Sequence, residues 1–231
     1  MSDPNAAPGA RRSSNRALPP SFYDRATELV ARELLGAVLE CRSDEGVTSG
    51  RIVEVEAYLG PHDPSCHAAA GLTARTTHLH GPPGRAYVYR IYGMHWCMNA
   101  VTREAGHGSA VLVRDLEPIA GIPVMRRRRR ATGTDDRNLA NGPGKLCEAL
   151  GIDRSHDGAR LDRGSLRILA APPVTDDDVR VSPRIGITRA AEWPLRWFIA
   201  ASRFVSRTPG KFRVLTVAEA EHRIARLPSG R

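Results

Sequence analysis

Ile52-Val53-Glu54-Val55-Glu56-Ala57-Tyr58-Leu59-Gly60-Pro61, running on through His62-Asp63-Pro64-Ser65-Cys66 to His67, is the stretch from which the rest of the chain can be read. Its first half alternates with the period of a strand: Val53, Val55 and Ala57 fall on one face, Glu54, Glu56 and Tyr58 on the other. Two carboxylates therefore share a face. A solvated strand face would also carry them, so spacing alone does not decide between a surface and a site. The strand stops at Leu59-Gly60-Pro61, and the loop beyond it supplies His67 within a short distance of Tyr58. A strand end bearing Glu and Tyr, with a His close by, reads as half of a pocket.

Upstream, Phe22, Ala26, Leu29, Val30, Leu34 and Leu35 recur at helical spacing, which predicts one helix from Ser21, capped by Ser21 or Asp24 and ended by Gly36. Ala37 to Cys41 then reads as a strand and Asp44-Glu45-Gly46 as a turn, with Arg51 to Tyr58 as the antiparallel partner. Downstream, residues 61–84 have no periodicity and hold four histidines, the mark of a functional loop. Ala86 to Ile91 and His95 to Val101 form a hairpin with Tyr92 at its tip, where Gly93 supplies unusual backbone angles. A three-residue loop there would put Tyr89 and Asn99 on one face.

Beyond the hairpin, Ala110 to Arg114 is a short strand closed by Leu116-Glu117-Pro118, and a helix through Met125 leads to the run Arg126 to Arg130, a solvated run or a diffuse DNA contact. Asn141-Gly142-Pro143-Gly144-Lys145 opens a helix through Leu150. Strands are expected at Leu166 to Ala170, Arg184 to Thr188 and Trp197 to Ala200, and a last helix at Val217 to Arg226. No composition break marks a second domain in the 231 residues. The reading is a disordered leader over residues 1–19, a domain over 20–215 and a C-terminal extension over 216–231.

A formal charge of +9 and a pI near 10.1 favour a polyanionic partner. Nearly all of the 34 bases are Arg; the lysines are Lys145 and Lys211. Cys41, Cys66, Cys97 and Cys147 form no C-x-x-C pair and lack a His at zinc spacing, so they read as buried thiols and not as a metal site. The N-terminus has no apolar core of a signal or membrane span, which points to a cytoplasmic protein, nucleoid-associated when on DNA.

Four of the five tyrosines, Tyr58, Tyr87, Tyr89 and Tyr92, crowd into one strand-loop-hairpin region. Tyr suits strands, but flat aromatic faces beside a basic surface are also what stacking on a nucleobase requires. An exposed Tyr92 at a hairpin tip could fill the gap left by an extruded base.

Glu-Ala-Tyr-Leu-Gly at Glu56 to Gly60, His67, Tyr-Val-Tyr-Arg-Ile-Tyr-Gly-Met at Tyr87 to Met94, Cys-Met-Asn at Cys97 to Asn99, Val-Leu-Val-Arg with Leu-Glu-Pro ending at Pro118, and Gly-Pro-Gly-Lys-Leu-Cys at Gly142 to Cys147 stand in a distinctive order. In these motifs the chain resembles the alkyladenine (3-methyladenine, methylpurine) DNA glycosylases, from about Pro20 to Arg207. The resemblance implies an α+β fold: a single compact domain whose curved, mainly antiparallel sheet carries a protruding β-hairpin and is surrounded by helices. It also implies hydrolysis of the N-glycosidic bond of alkylated purines in double-stranded DNA, by a monomer that needs no metal or organic cofactor.

Residue by residue, the resemblance makes Glu56 the general base, with Arg114 and His67 beside it. Tyr58, His67 and Tyr89 match the plates around a flipped base, Asn99 the residue that crowds out guanine, and Tyr92 the wedge, with Met94 beside it on the DNA side. Only the resemblance selects Glu56 over Glu54. Such roles fit the chemistry: a carboxylate stabilises an oxocarbenium-like sugar while taking a proton from water, and Tyr faces attract a cationic purine. Strand-cutting glycosylases need an amine nucleophile, and with two lysines outside the pocket motifs the chain reads as monofunctional. Lys145 and the amides from Gly142 are candidate phosphate contacts. Departures at Leu79, His95 and Ala201-Ser202-Arg203 bear on which lesions are accepted. Two other readings stand beside this one. A non-catalytic nucleic-acid-binding module has no use for Glu56, Arg114 and His67 together, and a hydrolase acting on nucleotides or RNA has none for a wedge at Tyr92.

Overall fold

The computed structural model describes residues 16–133, 135–210 and 212–228, so most of the expected leader lies outside the described residues, as does Lys211. In chain order the elements are α1 (Pro20–Tyr23), α2 (Thr27–Leu34), β1 (Val38–Ser43), β2 (Gly46–Tyr58), β3 (Ala86–Ile91), β4 (His95–Thr102), β5 (Ser109–Ala120), α3 (Ile122–Arg128), α4 (Pro143–Leu150), β6 (Leu166–Leu169), β7 (Val179–Ser182), β8 (Arg196–Ile199) and α5 (Val217–Ile224). The fold is α+β. All eight strands join one curled sheet of antiparallel pairs, in the order β3-β4-β5-β2-β1-β6, with β8 pairing both β2 and β7.

β2 is the pivot of that sheet. Its first half pairs with β1, from Ser43↔Gly46 to Val38↔Arg51, whereas Glu54, Val55 and Glu56 pair with Phe198, Trp197 and Arg196 of β8. The expected partnership of β1 with Arg51 to Tyr58 is thus corrected: the strand starts earlier, and its acidic half changes neighbours. On the other edge β5 accompanies β2 from Ser49 to Tyr58, with register shifts on either side of Glu54. These irregularities set Asp115 opposite Glu54 and leave Arg114, between Val113 and Asp115, without a partner on β2. Arg114 keeps the face of Ala110 and Leu112, and the shifted register sets it between the two carboxylates.

Alternation separates core from cavity on the neighbouring strands. Val53, Val55, Val88, Met98, Val111 and Val113 belong to the main hydrophobic core, together with Val30 and Leu34 of α2 and Leu146 and Cys147 of α4. α5 adds Val217 and Ala220 to the same core. All four cysteines are buried free thiols.

Several local expectations are corrected. The single helix from Ser21 is two, because the chain turns at Asp24-Arg25 to bury Tyr23, and Arg25 Nε covers the Phe22 carbonyl at 2.8 Å. Neither Ser21 nor Asp24 caps it: the N-cap positions are Pro19 and Ala26. β5 does not close at Leu116-Glu117-Pro118 but runs to Ala120; Pro118 is tolerated because β4 pairs only with residues 109–112, so the missing N–H interrupts no second ladder. Arg184 to Thr188 is not a strand, since Arg184 is held elsewhere and Gly186 adopts φ +79°. The basic run is not freely solvated: α3 absorbs Arg126 to Arg128, Arg126 pairs with Asp136, Arg127 and Arg128 with Glu45, and Arg129 with Glu148. The last part of the expected leader is ordered along β6, where Leu18 N–H donates to Ile168 O at 2.8 Å.

Candidate active site

Alternate residues of β3, β4 and β5 all face one cavity of about 380 Å³: Tyr87, Tyr89 and Ile91; Cys97 and Asn99; Ala110, Leu112 and Arg114. Tyr58 closes it from the end of β2, His67 from the loop, Pro143 and Gly144 from the start of α4, and Ile185 to Ile187 from the segment before β8. The volume suits a small organic ligand. Ile91 pairs with His95, so the hairpin loop has three residues and Tyr89 and Asn99 do share a face. α4 comes close to that hairpin because its second residue is glycine; a Cβ at Gly144 would lie 2.9 Å from the Cβ of His95.

Glu54 and Glu56 are both fully buried, which disposes of the solvated-face reading. Their surroundings differ. Glu54 receives Arg114 Nε at 2.9 Å, Arg196 Nε at 2.6 Å and the Ser206 N–H at 2.8 Å. Burial alone would raise its carboxyl pKa, but the Arg196 bond and the charges of Arg196 and Arg114 outweigh it and hold the group below the usual value. Glu56 receives the Tyr58 hydroxyl on Oε2 at 2.9 Å and the Ile185 N–H on Oε1 at 2.7 Å, with Arg114 Nη1 at 3.1 Å. All three partners line the cavity, whereas Glu56 itself lies one contact behind the wall. A carboxylate offers about four lone-pair sites, so Glu56 Oε2 keeps one to spare. Burial first, and then the Glu56 charge, push the Tyr58 phenol far up, which keeps it a donor.

A second buried ion pair supports this floor. Arg184 and Asp63 are joined by two bonds, Nη1 to Oδ2 at 2.5 Å and Nη2 to Oδ1 at 2.9 Å, with neither side chain exposed. Arg184 also donates to Ala57 O at 3.0 Å, and its guanidinium lies 4.7 Å from the Tyr58 ring centroid. Asp63 accepts from the Leu59 and Ser65 N–H groups. The pair ties together the end of β2, the loop that delivers His67 and the segment that offers Ile185 to Glu56. Nothing in the sequence reading singled out Asp63 or Arg184; the only signal was a carboxylate between two prolines in a turn.

On the opposite wall His67 Nδ1 is 2.9 Å from the Tyr87 hydroxyl, and its ring meets Tyr89 edge-on, centroids 4.5 Å apart. Burial, then the charge of Arg75, lower the His67 pKa, so the ring is neutral at physiological pH. Asn99 donates from Nδ2 to Tyr87 O at 3.1 Å. Leu79 and His95, two of the departures noted above, also line the cavity. At its mouth Tyr92 is 83% exposed and Met94 65%, and Tyr92 has φ +52°, a left-handed conformation unusual for an aromatic residue. Lys145 Nζ bonds Asn141 Oδ1 at 2.9 Å and does not reach the cavity lining, while Gly142 precedes α4 at φ +127°. Two further histidines of the loop that carries His67 pin it: His78 bonds Asp157 and His80 the Gly106 carbonyl. No cluster able to hold a metal ion occurs among the described residues. Nor, among them, is any helix long and apolar enough to cross a membrane.

The sequence profile of methylpurine-DNA glycosylases matches residues 21–203. A protein of Methanoculleus marisnigri named "Putative 3-methyladenine DNA glycosylase" is 49% identical over 194 residues, 82% of this chain and 98% of its own. Relatives with the same name in Myxococcus xanthus and Koribacter versatilis are 47% and 46% identical, covering 83% and 82% of this chain and 94% and 92% of theirs.

Proposed function

The chain belongs to the methylpurine-DNA glycosylase family, and from that premise we propose that it removes 3-methyladenine and related alkylated purines from duplex DNA by hydrolysing the N-glycosidic bond. The damaged nucleotide swings out of the helix, Tyr92 fills the vacated space, and the base enters between Tyr58 and the His67–Tyr89 pair, where Asn99 limits what fits. Glu56 takes a proton from water directed at the sugar carbon, with Arg114 holding its carboxylate. The base leaves with the bonding electrons, and its existing positive charge is neutralised in doing so, which lowers the need for a general acid. Lys145 and the amides near Gly142 meet the phosphates.

One observation carries the choice of base. Each of the two buried carboxylates has three partners, but Arg196 and Ser206 hold Glu54 from residues away from the cavity, while all three groups on Glu56, Tyr58, Ile185 and Arg114, belong to the cavity wall. Among the described residues no lysine lines the cavity, which supports hydrolysis without strand cutting. Incubation with methylated duplex DNA tests the reading: free 3-methyladenine should appear beside an unbroken strand with an abasic site. Absence of any released base refutes the activity, and a covalent adduct trapped by borohydride refutes the hydrolytic course.

A further inference from the structure

Arg75 lies in the loop before β3 and is exposed. Its guanidinium carbon is 5.3 Å from the centroid of the Tyr89 ring, and Nη2 donates to Arg90 O at 3.3 Å. Tyr89 lines the cavity and Arg75 does not, so the guanidinium lies against this aromatic plate without being part of the cavity wall. The groups that steady it, the Arg90 carbonyl and the Tyr87 hydroxyl, are neutral, which leaves its charge whole.

We propose that Arg75 is a specificity-determining residue, a fixed positive charge over the Tyr89 ring that weakens the advantage of cationic bases over neutral ones in the cavity. This rests on the glycosylase reading above. A π-face attracts a cation through its negative quadrupole, and a base stacked on Tyr89 at about 3.5 Å would share that ring with the guanidinium. Two like charges at one ring oppose each other, whereas a neutral base feels no such opposition. The protein already carries an example: His67, whose ring bonds Tyr87 and meets Tyr89, has its pKa lowered by burial and then by the Arg75 charge. Without this brake, an electron-rich cavity would favour any cationic purine strongly, including harmless ones. With it, neutral lesions such as deaminated adenine compete on better terms.

The test compares the unaltered protein with Arg75→Gln and Arg75→Lys. Single-turnover excision is measured on duplexes carrying 7-methylguanine, a cation, and hypoxanthine, which is neutral, and His67 is titrated by NMR in the same proteins. Arg75→Gln should raise the cation-to-neutral ratio about threefold, the size expected for one exposed cation–π contact, and move the His67 titration to higher pH. Arg75→Lys, which keeps the charge, should leave both near the starting values. Equal losses on both duplexes would make Arg75 a phosphate contact and overturn the proposal, as would identical behaviour of the Gln and Lys variants. If no protein released any base, the glycosylase reading would fail, while the His67 titration would still report whether the Arg75 charge reaches the cavity.

Discussion

The floor of the cavity and its mouth are built on opposite terms. At the floor, Glu54, Glu56, Asp63, Arg184 and Arg196 are fully buried, with Glu54 paired to Arg196, Asp63 to Arg184, and Arg114 between the two glutamates. At the mouth, Tyr92 and Met94 stand largely in solvent on a strained three-residue loop. Buried charge is tolerated only when paired, so the floor is rigid by necessity; an exposed aromatic has nothing to pack on until a partner arrives. On the proposed function, the difference would separate groups that act on a bond from groups that seize a duplex.

The severest way to break the comparison is at the floor. Glu56→Gln keeps the shape and removes the base, and single-turnover excision should fall by about a thousandfold or more while DNA binding stays within a few-fold. Next comes the brace. Arg184→Met strands the Asp63 carboxylate, and breaking a buried pair costs about 3–5 kcal/mol; urea unfolding should show it. A stability change below about 1 kcal/mol would mean that the pair does not hold the floor.

At the mouth the expected effect is smaller and of another kind. Tyr92→Ala should leave stability unchanged and slow excision from duplex DNA about tenfold, since the ring offsets part of a few kcal/mol of unstacking. Excision from a single strand, which has no gap to fill, should be spared. Equal slowing on both would assign Tyr92 to the pocket and not to the duplex.

The smallest effect sharpens the picture of the floor. Burial, then the Glu54 charge, push the Asp115 carboxyl well up; its Oδ2 shares the Ser206 N–H with Glu54, and its Oδ1 has no partner. The folded protein thus holds a proton that the unfolded chain releases above about pH 4. With more protons bound in the native state, stability falls as pH rises from there towards the folded value. Asp115→Asn mimics the protonated acid and should flatten that decline, so that the variant gains stability relative to the unaltered protein as pH rises to 8. Denaturant titrations at pH 5 and pH 8 would expose an unchanged slope.

How much of this was legible in the sequence depends on the period of each part. Strict alternation made Tyr87, Tyr89, Cys97 and Asn99 readable as one face, and Gly93 marked the turn. Alternation also paired Glu54 with Glu56, but the compensating bulges around Glu54 have no sequence signature, so the place of Arg114 between them was not derivable from spacing. Asp63 and Arg184 are 121 residues apart; their contact depends on tertiary closure alone. The strand expected at Arg184 to Thr188 failed because a buried ion pair and Gly186 overrode its β-branched residues. Pro118 misled in the other direction, since an edge segment tolerates proline where a central one does not.

The central claim is that Glu56, one contact behind the cavity wall, reaches the water that attacks the sugar. The crystal structure of Glu56→Gln bound to a duplex with an alkylated purine tests it most directly. The expected result is the damaged base between Tyr58 and the His67–Tyr89 pair, with a water bonded both to the residue 56 side chain and to Arg114 and facing the sugar carbon. A base seated in the cavity while Tyr58 and Ile185 wall residue 56 off from any water would contradict it.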